Sequence, residues 1–89
     1  MIYKILLHPK AKIFLNKLNK ETKIRIKKKL KELEKFPDKK GNHLRYSAFW
    51  RLRVGDYRII YEIDRKDRKI IVLFIGHRKN VYDDFSKLF

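Results

Sequence analysis

The chain contains no cysteine, only three glycines and two prolines, and few acidic residues. The absence of cysteine excludes disulfide bridges and metal sites built on thiolates. The longest apolar run, Ile70 to Ile75, is far too short to cross a bilayer, and the apolar run near the N-terminus is too short for a secretory signal. His8, His43 and His77 lie far apart without metal-ligand spacing, so we expect no metal and no cofactor. The expected setting is the cytoplasm, away from membranes.

The scarcity of acidic residues accompanies an excess of basic ones. Lysine and arginine number 25 against 10 aspartate and glutamate, giving a formal net charge of +15. Such a chain is attracted to polyanions: RNA, DNA, an anionic membrane surface or an acidic protein. Hydrophobic residues make up 44% of the 89 residues, which is enough to build the core of one domain covering residues 1–89.

The N-terminal half has the pattern of one strand and two helices. Residues 1–7 favour a strand, and Pro9 suits the first turn of a helix that ends at Leu18 or Asn19. A second helix, Lys20–Phe36, is stopped by Pro37, and its many lysines are interpreted as a solvated face first and a phosphate-steering surface second. Residues 37–48 are predicted to form a loop.

The C-terminal half changes to a period of two at Phe49. Turns at 55–56 and 65–68 then divide it into three antiparallel strands, and Val81, Phe85 and Leu88 have the spacing of a short last helix. The sequence therefore predicts an α+β fold: a small, mainly antiparallel four-stranded sheet with an N-terminal helix hairpin on one face and a short C-terminal helix.

The hairpin "FWRLRVGDYRIIYEI" carries three arginines in an otherwise apolar stretch. A two-residue turn with glycine first, Gly55-Asp56, suits type II′ and places Arg53 opposite Arg58. Strand alternation then predicts one face that packs under the helices, made of Trp50, Leu52, Val54, Tyr57, Ile59 and Tyr61. The other face carries Phe49, Arg51, Arg53, Arg58, Ile60 and Glu62.

Two interpretations of this arginine face stay open. Like charges directly opposite each other destabilise a hairpin by about 0.2–1 kcal/mol, and guanidinium groups match phosphate oxygens well, which favours a site for an incoming anion. The alternative is a merely solvated strand face. At the end of the sheet, His77 is either a surface residue or a group that exchanges protons, and Tyr82 either packs or stacks on a nucleobase.

Two segments, "HLRYSAFWRLRVGDYRIIYEI" and "VLFIGHRKNVY", together resemble the RelE family of toxins within the RelE/ParE superfamily. The similarity covers nearly the whole chain and implies a RelE-like fold. It also implies an endoribonuclease that cuts mRNA in the ribosomal A site, where the ribose 2′-OH attacks the neighbouring phosphate. A RelB-like antitoxin would neutralise the toxin, and operator DNA would be bound only through the antitoxin complex.

By position, the resemblance implies a role for each residue of the site. Arg51 matches the basic residue proposed as the base, Arg58 an arginine that stabilises the phosphate, and Arg78 the proposed general acid. Tyr82 matches the tyrosine that orients or stacks on the nucleotide, and His77 precedes the acid arginine. Arg53, Arg45 and Lys79 are predicted to bind RNA phosphates.

The sequence departs from the family pattern at the base position. Arg51 stands where lysine is usual, and Phe49, or Trp50 if the register slips, stands where some members have a second lysine. Because arginine does not readily lose its proton, we expect the arginines to stabilise the pentacovalent phosphate, with His77 or Tyr82 moving protons. The rival functions are a ParE-like toxin that binds DNA gyrase and a nucleic-acid-binding module without chemistry.

Overall fold

In the described part of the chain, a five-stranded sheet carries two helices on one face. The computed structural model describes residues 2–38, 40–44, 47–80 and 85. In chain order its elements are β1 (Lys4–Leu7), α1 (Pro9–Lys17), α2 (Lys20–Leu33), β2 (Asn42–His43), β3 (Phe49–Val54), β4 (Tyr57–Asp64) and β5 (Lys69–His77). The predicted α+β class is confirmed. The predicted last helix, apart from Phe85, lies outside the described residues.

Both helices begin at a residue whose side chain caps the free N–H groups of the first turn. His8 precedes α1 and its Nδ1 accepts a hydrogen bond from the Lys10 N–H at 3.2 Å, while Pro9 occupies the first helical position. Asn19 precedes α2 and its Oδ1 accepts from the Thr22 N–H at 2.8 Å. Caps of this kind stabilise a helix start by about 1 kcal/mol. Among the described residues, neither helix is long and apolar enough to span a membrane.

The second helix ends earlier than the sequence predicts, at Leu33 instead of Phe36. Leu33 is fully buried and is the last core residue of the helix. Just beyond it, the Glu34 carbonyl accepts a hydrogen bond from the Tyr3 N–H at 2.7 Å, which ties the helix exit to the chain entering β1. In addition, Pro37 disfavours helical geometry at Phe36.

The sheet has one strand more than predicted. Its order is β1-β5-β4-β3-β2, with β1 parallel to β5 and the other neighbours antiparallel. The additional strand is β2, which pairs only with Trp50 and Arg51 and lies in the segment predicted as a loop. Gly41 and Asn42 are typical turn residues, and two residues are too few to show the alternation of a strand. The sequence therefore gives no signal for β2. β5 lies inside the sheet, as its apolar character on both faces predicts.

Apolar residues cover both faces of the sheet to different extents. The main core lies between the helices and the sheet and consists of Ala11, Leu15, Ile26, Leu30, Leu33, Leu52, Val54, Ile59, Tyr61, Ile70, Val72 and Ile75. A smaller cluster on the opposite face contains Ile60, Leu73 and Phe85, with the Phe85 ring 5.1 Å from that of Phe49. This second cluster lies on the face that also carries the hairpin arginines. The charged part of that face is therefore confined to one end of the sheet.

Tyr61 fastens the loop after α2 to the main core. Its side chain is fully buried, and its hydroxyl donates a hydrogen bond to the Pro37 carbonyl at 2.9 Å. Burial, and to a lesser extent the nearby Asp38 carboxylate, raises the pKa of Tyr61 well above its usual value. Gly41 passes so close to this hydroxyl that a Cβ atom there would lie 1.9 Å from it. A side chain at position 41 would therefore force the loop or the Tyr61 hydroxyl to shift.

Candidate nucleic-acid interface

The β3–β4 hairpin has the register that the sequence predicts. Arg53 pairs with Arg58 and Arg51 with Ile60, and the turn between the strands is Gly55-Asp56. Gly55 has a φ of 58° and Asp56 does not share a positive φ, which fits a type II′ turn. The predicted helix-facing residues of the hairpin belong to or pack on the main core. The arginines therefore lie on the opposite face of the sheet.

The hairpin turn holds two of the predicted site arginines. Nη1 of Arg58 donates hydrogen bonds of 2.9 Å to the carbonyls of Gly55 and of Tyr57. The backbone N–H of Arg78 donates to the Asp56 carbonyl at 2.7 Å, and Nε of Arg78 lies 3.7 Å from Asp56 Oδ1. The exit of β5 is thus bonded directly to the turn. As a result, Arg58 and Arg78, which are far apart in sequence, both contact the segment 55–57 at the turn.

The two arginines of β3 differ in exposure. Arg53 is exposed and lies directly opposite Arg58, next to the turn. Arg51 is half-buried, because it pairs with Ile60 on one side and with Asn42 of β2 on the other. The structure therefore brings Arg53, Arg58 and Arg78 to the turn and sets Arg51 further along the same face.

His77 lies on the other side of the sheet from these arginines. It pairs with Tyr57, and the two rings meet edge to face with centroids 5.8 Å apart. Nδ1 of His77 accepts a hydrogen bond from the Lys79 N–H at 3.3 Å, so the neutral ring carries its proton on Nε2. Arg58, by contrast, pairs with Gly76. A catalytic role for His77 stays a prediction, and it requires that RNA pass around the end of β5.

The remaining predicted site residues are Lys79, Arg45 and Tyr82. Lys79 is exposed in the turn after β5. Arg45 and Tyr82 lie outside the described residues, so their predicted roles in phosphate binding and nucleotide stacking stay predictions. Within the described ranges, no three histidine or acidic side chains come together as metal ligands would.

The chemical capacity of this surface is electrostatic. Nη1 of Arg58 is held by two carbonyls, Arg53 is exposed beside it, and Nε of Arg78 lies 3.7 Å from the exposed Asp56 carboxylate. Charges fixed before the ligand arrives need little reorganisation when negative charge develops on a phosphate. The surface suits a phosphodiester better than a neutral ligand.

Two contributors to the site are absent from the sequence prediction. Asp56 is expected only as a turn residue, yet it orients Arg78 through both its backbone and its carboxylate. Arg25 of α2 lies beside Gly55, with Nη2 3.1 Å from the position that a Cβ would take. The turn sequence does not reveal the role of Asp56, because its contact with Arg78 depends on where the exit of β5 lies. Nothing in the lysine-rich pattern of α2 distinguishes Arg25.

Comparison with known proteins identifies the family of the chain. The family described as the ParE toxin of type II toxin-antitoxin system, parDE, matches residues 5–82. The chain belongs to the RelE/ParE superfamily of toxins. No curated protein matches it.

Several solved RelE structures are similar to the chain over most of its length. Free RelE from Escherichia coli, an arginine double mutant, is 26% identical with a TM-score of 0.81, covering 99% of this chain and 98% of that one. The toxin-antitoxin complex RelBE2 from Mycobacterium tuberculosis gives 25% identity and a TM-score of 0.80, covering 88% and 100%. The RelE-RelB complex from Pyrococcus horikoshii gives 28% and 0.78, covering 88% and 97%. These neighbours identify the chain as a RelE-type toxin.

Proposed function

We propose that this RelE-type toxin is an endoribonuclease that cuts mRNA, with the ribosomal A site as the place of cleavage. The observation that carries the proposal is the gathering of Arg53, Arg58 and Arg78 at one hairpin turn. Three guanidinium groups at one turn suit a phosphate that gains negative charge during the reaction. The hairpin accepts a cross-strand pair of like charges, which is a cost to folding that an RNA ligand offsets.

In the proposed reaction the ribose 2′-oxygen attacks the adjacent phosphorus and the bond from phosphorus to the 5′-oxygen breaks. The proton of the 2′-OH is lost and one is delivered to the departing 5′-oxygen, leaving a 2′,3′-cyclic phosphate and a 5′-OH. Arg58 and Arg53 face the pentacovalent phosphate, and Arg78 lies beside the leaving oxygen. Arg51 adds charge further along the strand, where its half-buried position suits holding a neighbouring phosphate.

Proton transfer does not fall to the arginines, because guanidinium groups remain charged at neutral pH. Tyr82 and His77 stay the proposed proton carriers. In-line placement of the 2′-oxygen provides much of the rate acceleration, and a bound ribosome supplies that placement. Arg45 and Lys79 remain proposed phosphate contacts.

The proposed protein partner is a RelB-like antitoxin. Solved neighbours from Mycobacterium tuberculosis and Pyrococcus horikoshii are complexes of this kind. The net charge of +15 favours an acidic partner, and binding would add to the modest stability of a small domain. Operator DNA is then reached only through that complex, and a cytoplasmic location follows from an mRNA substrate.

Mapping of new 5′ ends on translating ribosomes tests the proposal. Addition of the free toxin is expected to create 5′-OH ends within codons that occupy the A site. Their number should exceed the background at least 10²-fold, since one preorganised donor to a developing oxyanion already contributes about that factor. The control is the same mRNA without ribosomes, where far fewer ends are expected. The matching family description names ParE, so a DNA gyrase cleavage assay is run in parallel. Gyrase inhibition without new RNA ends would replace the nuclease proposal with the gyrase one.

A further inference from the structure

A second group of basic residues lies on α2, beside the turn end of the hairpin. A cleft of about 350 Å³ separates the helix from this end of β3. The basic residues that line it are Arg25, Lys28, Lys29 and Arg53. The cleft is distinct from the face that carries Arg51 and Arg58, although Arg53 borders both.

The α2 residues of the cleft share one face of the helix because of their spacing. Arg25, Lys28, Lys29 and Glu32 follow one another at i, i+3, i+4 and i+7. Ile26 on the neighbouring face is fully buried in the main core, which fixes the rotation of the helix. The orientation of the basic residues toward the hairpin therefore follows from how the core packs.

Most of the positive charge in the cleft is not neutralised. Nζ of Lys29 lies 3.5 Å from Oε2 of Glu32. Within the described part of the chain, no ion pair within 4.0 Å is recorded for Arg25, Lys28 or Arg53. Three uncompensated cations around one concave surface attract an anion more strongly than scattered surface lysines do.

The backbone at Gly55 and along the edge of β3 borders this cleft. Gly55 has no side chain, and the Arg25 guanidinium lies directly beside it. β2 pairs with Trp50 and Arg51, and within the described residues no strand pairs with the outer edge of β3 from Leu52 to Val54. An extended polymer can therefore run from the arginine face past Arg53 into the cleft.

We propose that this cleft binds phosphates of an RNA strand away from the scissile phosphate, so that the toxin holds its RNA at two sites joined by Arg53. The proposal rests on the proposed function in that RNA is the ligand. Arginine forks and lysine charges together suit successive backbone phosphates. Among the described residues that line the cleft, Val54 alone has an apolar side chain, which disfavours an amphipathic protein helix as the occupant.

The test compares two variants with equal loss of charge on the same helix. The double variant Arg25→Gln, Lys28→Gln removes two positive charges from the cleft. Lys27→Gln with Lys31→Gln is the matched control, because those lysines line a different groove, beside β1. The probe is a short single-stranded RNA with 2′-O-methyl groups throughout, which cannot be cleaved. Its affinity is measured as a function of salt concentration.

The cleft variant is expected to bind the probe about tenfold more weakly, and the slope of log affinity against log salt should become shallower by about 1.4, or about 0.7 for each lost phosphate contact. The control should change by about twofold or less. Both variants should unfold at the wild-type temperature; if the double variant does not, Lys28→Gln is compared with Lys27→Gln in its place.

Equal losses in the two variants would overturn the proposal, because diffuse surface charge would then explain RNA binding. So would weaker antitoxin binding with unchanged RNA affinity, which would assign the cleft to a protein. Because the probe cannot be cut, its binding is independent of the nuclease reaction. If the wild type cuts no mRNA and the cleft variant still binds the probe more weakly, the nuclease proposal is rejected and the cleft proposal stands.

Discussion

Arg58→Ala is expected to slow cleavage of ribosome-bound mRNA by about 10²–10³-fold, the loss typical when one preorganised donor to a developing oxyanion is removed. Arg58 is held by hydrogen bonds of 2.9 Å to the Gly55 and Tyr57 carbonyls, so its charge is fixed before RNA arrives. The measurement is the rate at which new 5′ ends form on stalled ribosomes under single-turnover conditions.

Two further variants separate charge from geometry. Arg58→Lys keeps a positive charge but lacks the fork, and an intermediate rate is expected. Lys66→Ala removes one exposed charge from the 65–68 turn at the other end of β4, and wild-type cleavage is expected. Thermal unfolding should show that all three variants are folded. A folded Arg58→Ala protein that cuts at the wild-type rate would exclude Arg58 from the reaction.

Gly41→Ala is expected to destabilise the fold by about 3 kcal/mol, combining overpacking with a buried hydrogen bond that is broken. The new Cβ would lie 1.9 Å from the Tyr61 hydroxyl and 3.0 Å from the Arg51 carbonyl. Tyr61 cannot move aside easily, because its ring is fully buried and its hydroxyl is bonded to Pro37. The free energy of unfolding is measured by urea denaturation.

A double-mutant cycle with Tyr61→Phe identifies the cause of this loss. Removing the hydroxyl removes the nearest atom, so Gly41→Ala should cost only about 1 kcal/mol in the Tyr61→Phe background, from the contacts that remain with the ring and with the Arg51 carbonyl. If the cost is the same in both backgrounds, the close approach of the loop to Tyr61 is not the reason for glycine at position 41.

The hairpin shows how much of the site could be predicted from sequence. A two-residue turn fixes the register of both strands, and alternation then assigns each side chain to a face, which is why Arg53 is correctly placed opposite Arg58. These are local rules, and they hold here because the turn type depends on one glycine. The contact between Arg78 and Asp56 depends on a different strand pair, and no local rule specifies it.

The position of His77 was beyond sequence reasoning because of a single irregularity. Counting from the second turn, where Asp64 pairs with Lys69, a regular β4–β5 ladder would place Gly76 opposite Tyr57. Instead the register shifts between Ile60 and Tyr61, leaving Leu73 without a partner, and His77 pairs with Tyr57. A one-residue bulge moves every later side chain to the other face. The histidine consequently lies across the sheet from the arginines.

The two corrections in the fold have a similar origin. The early end of α2 depends on a hydrogen bond from Tyr3, and β2 exists because it pairs with β3. Both are tertiary interactions with residues distant in sequence, whereas the helix starts depend on His8 and Asn19 immediately before them. Helix starts were therefore predictable, and these two features were not.

Urea denaturation of Arg53→Ala, with and without uncleavable 2′-O-methyl RNA, tests whether the hairpin arginines stabilise the fold or bind a phosphate. Without RNA, we expect a midpoint equal to or above that of the wild type, because the variant loses the like-charge contact with Arg58. With RNA, the midpoint should rise clearly less than it does for the wild type. A lower midpoint without RNA, together with an undiminished rise on adding it, would contradict the anion site.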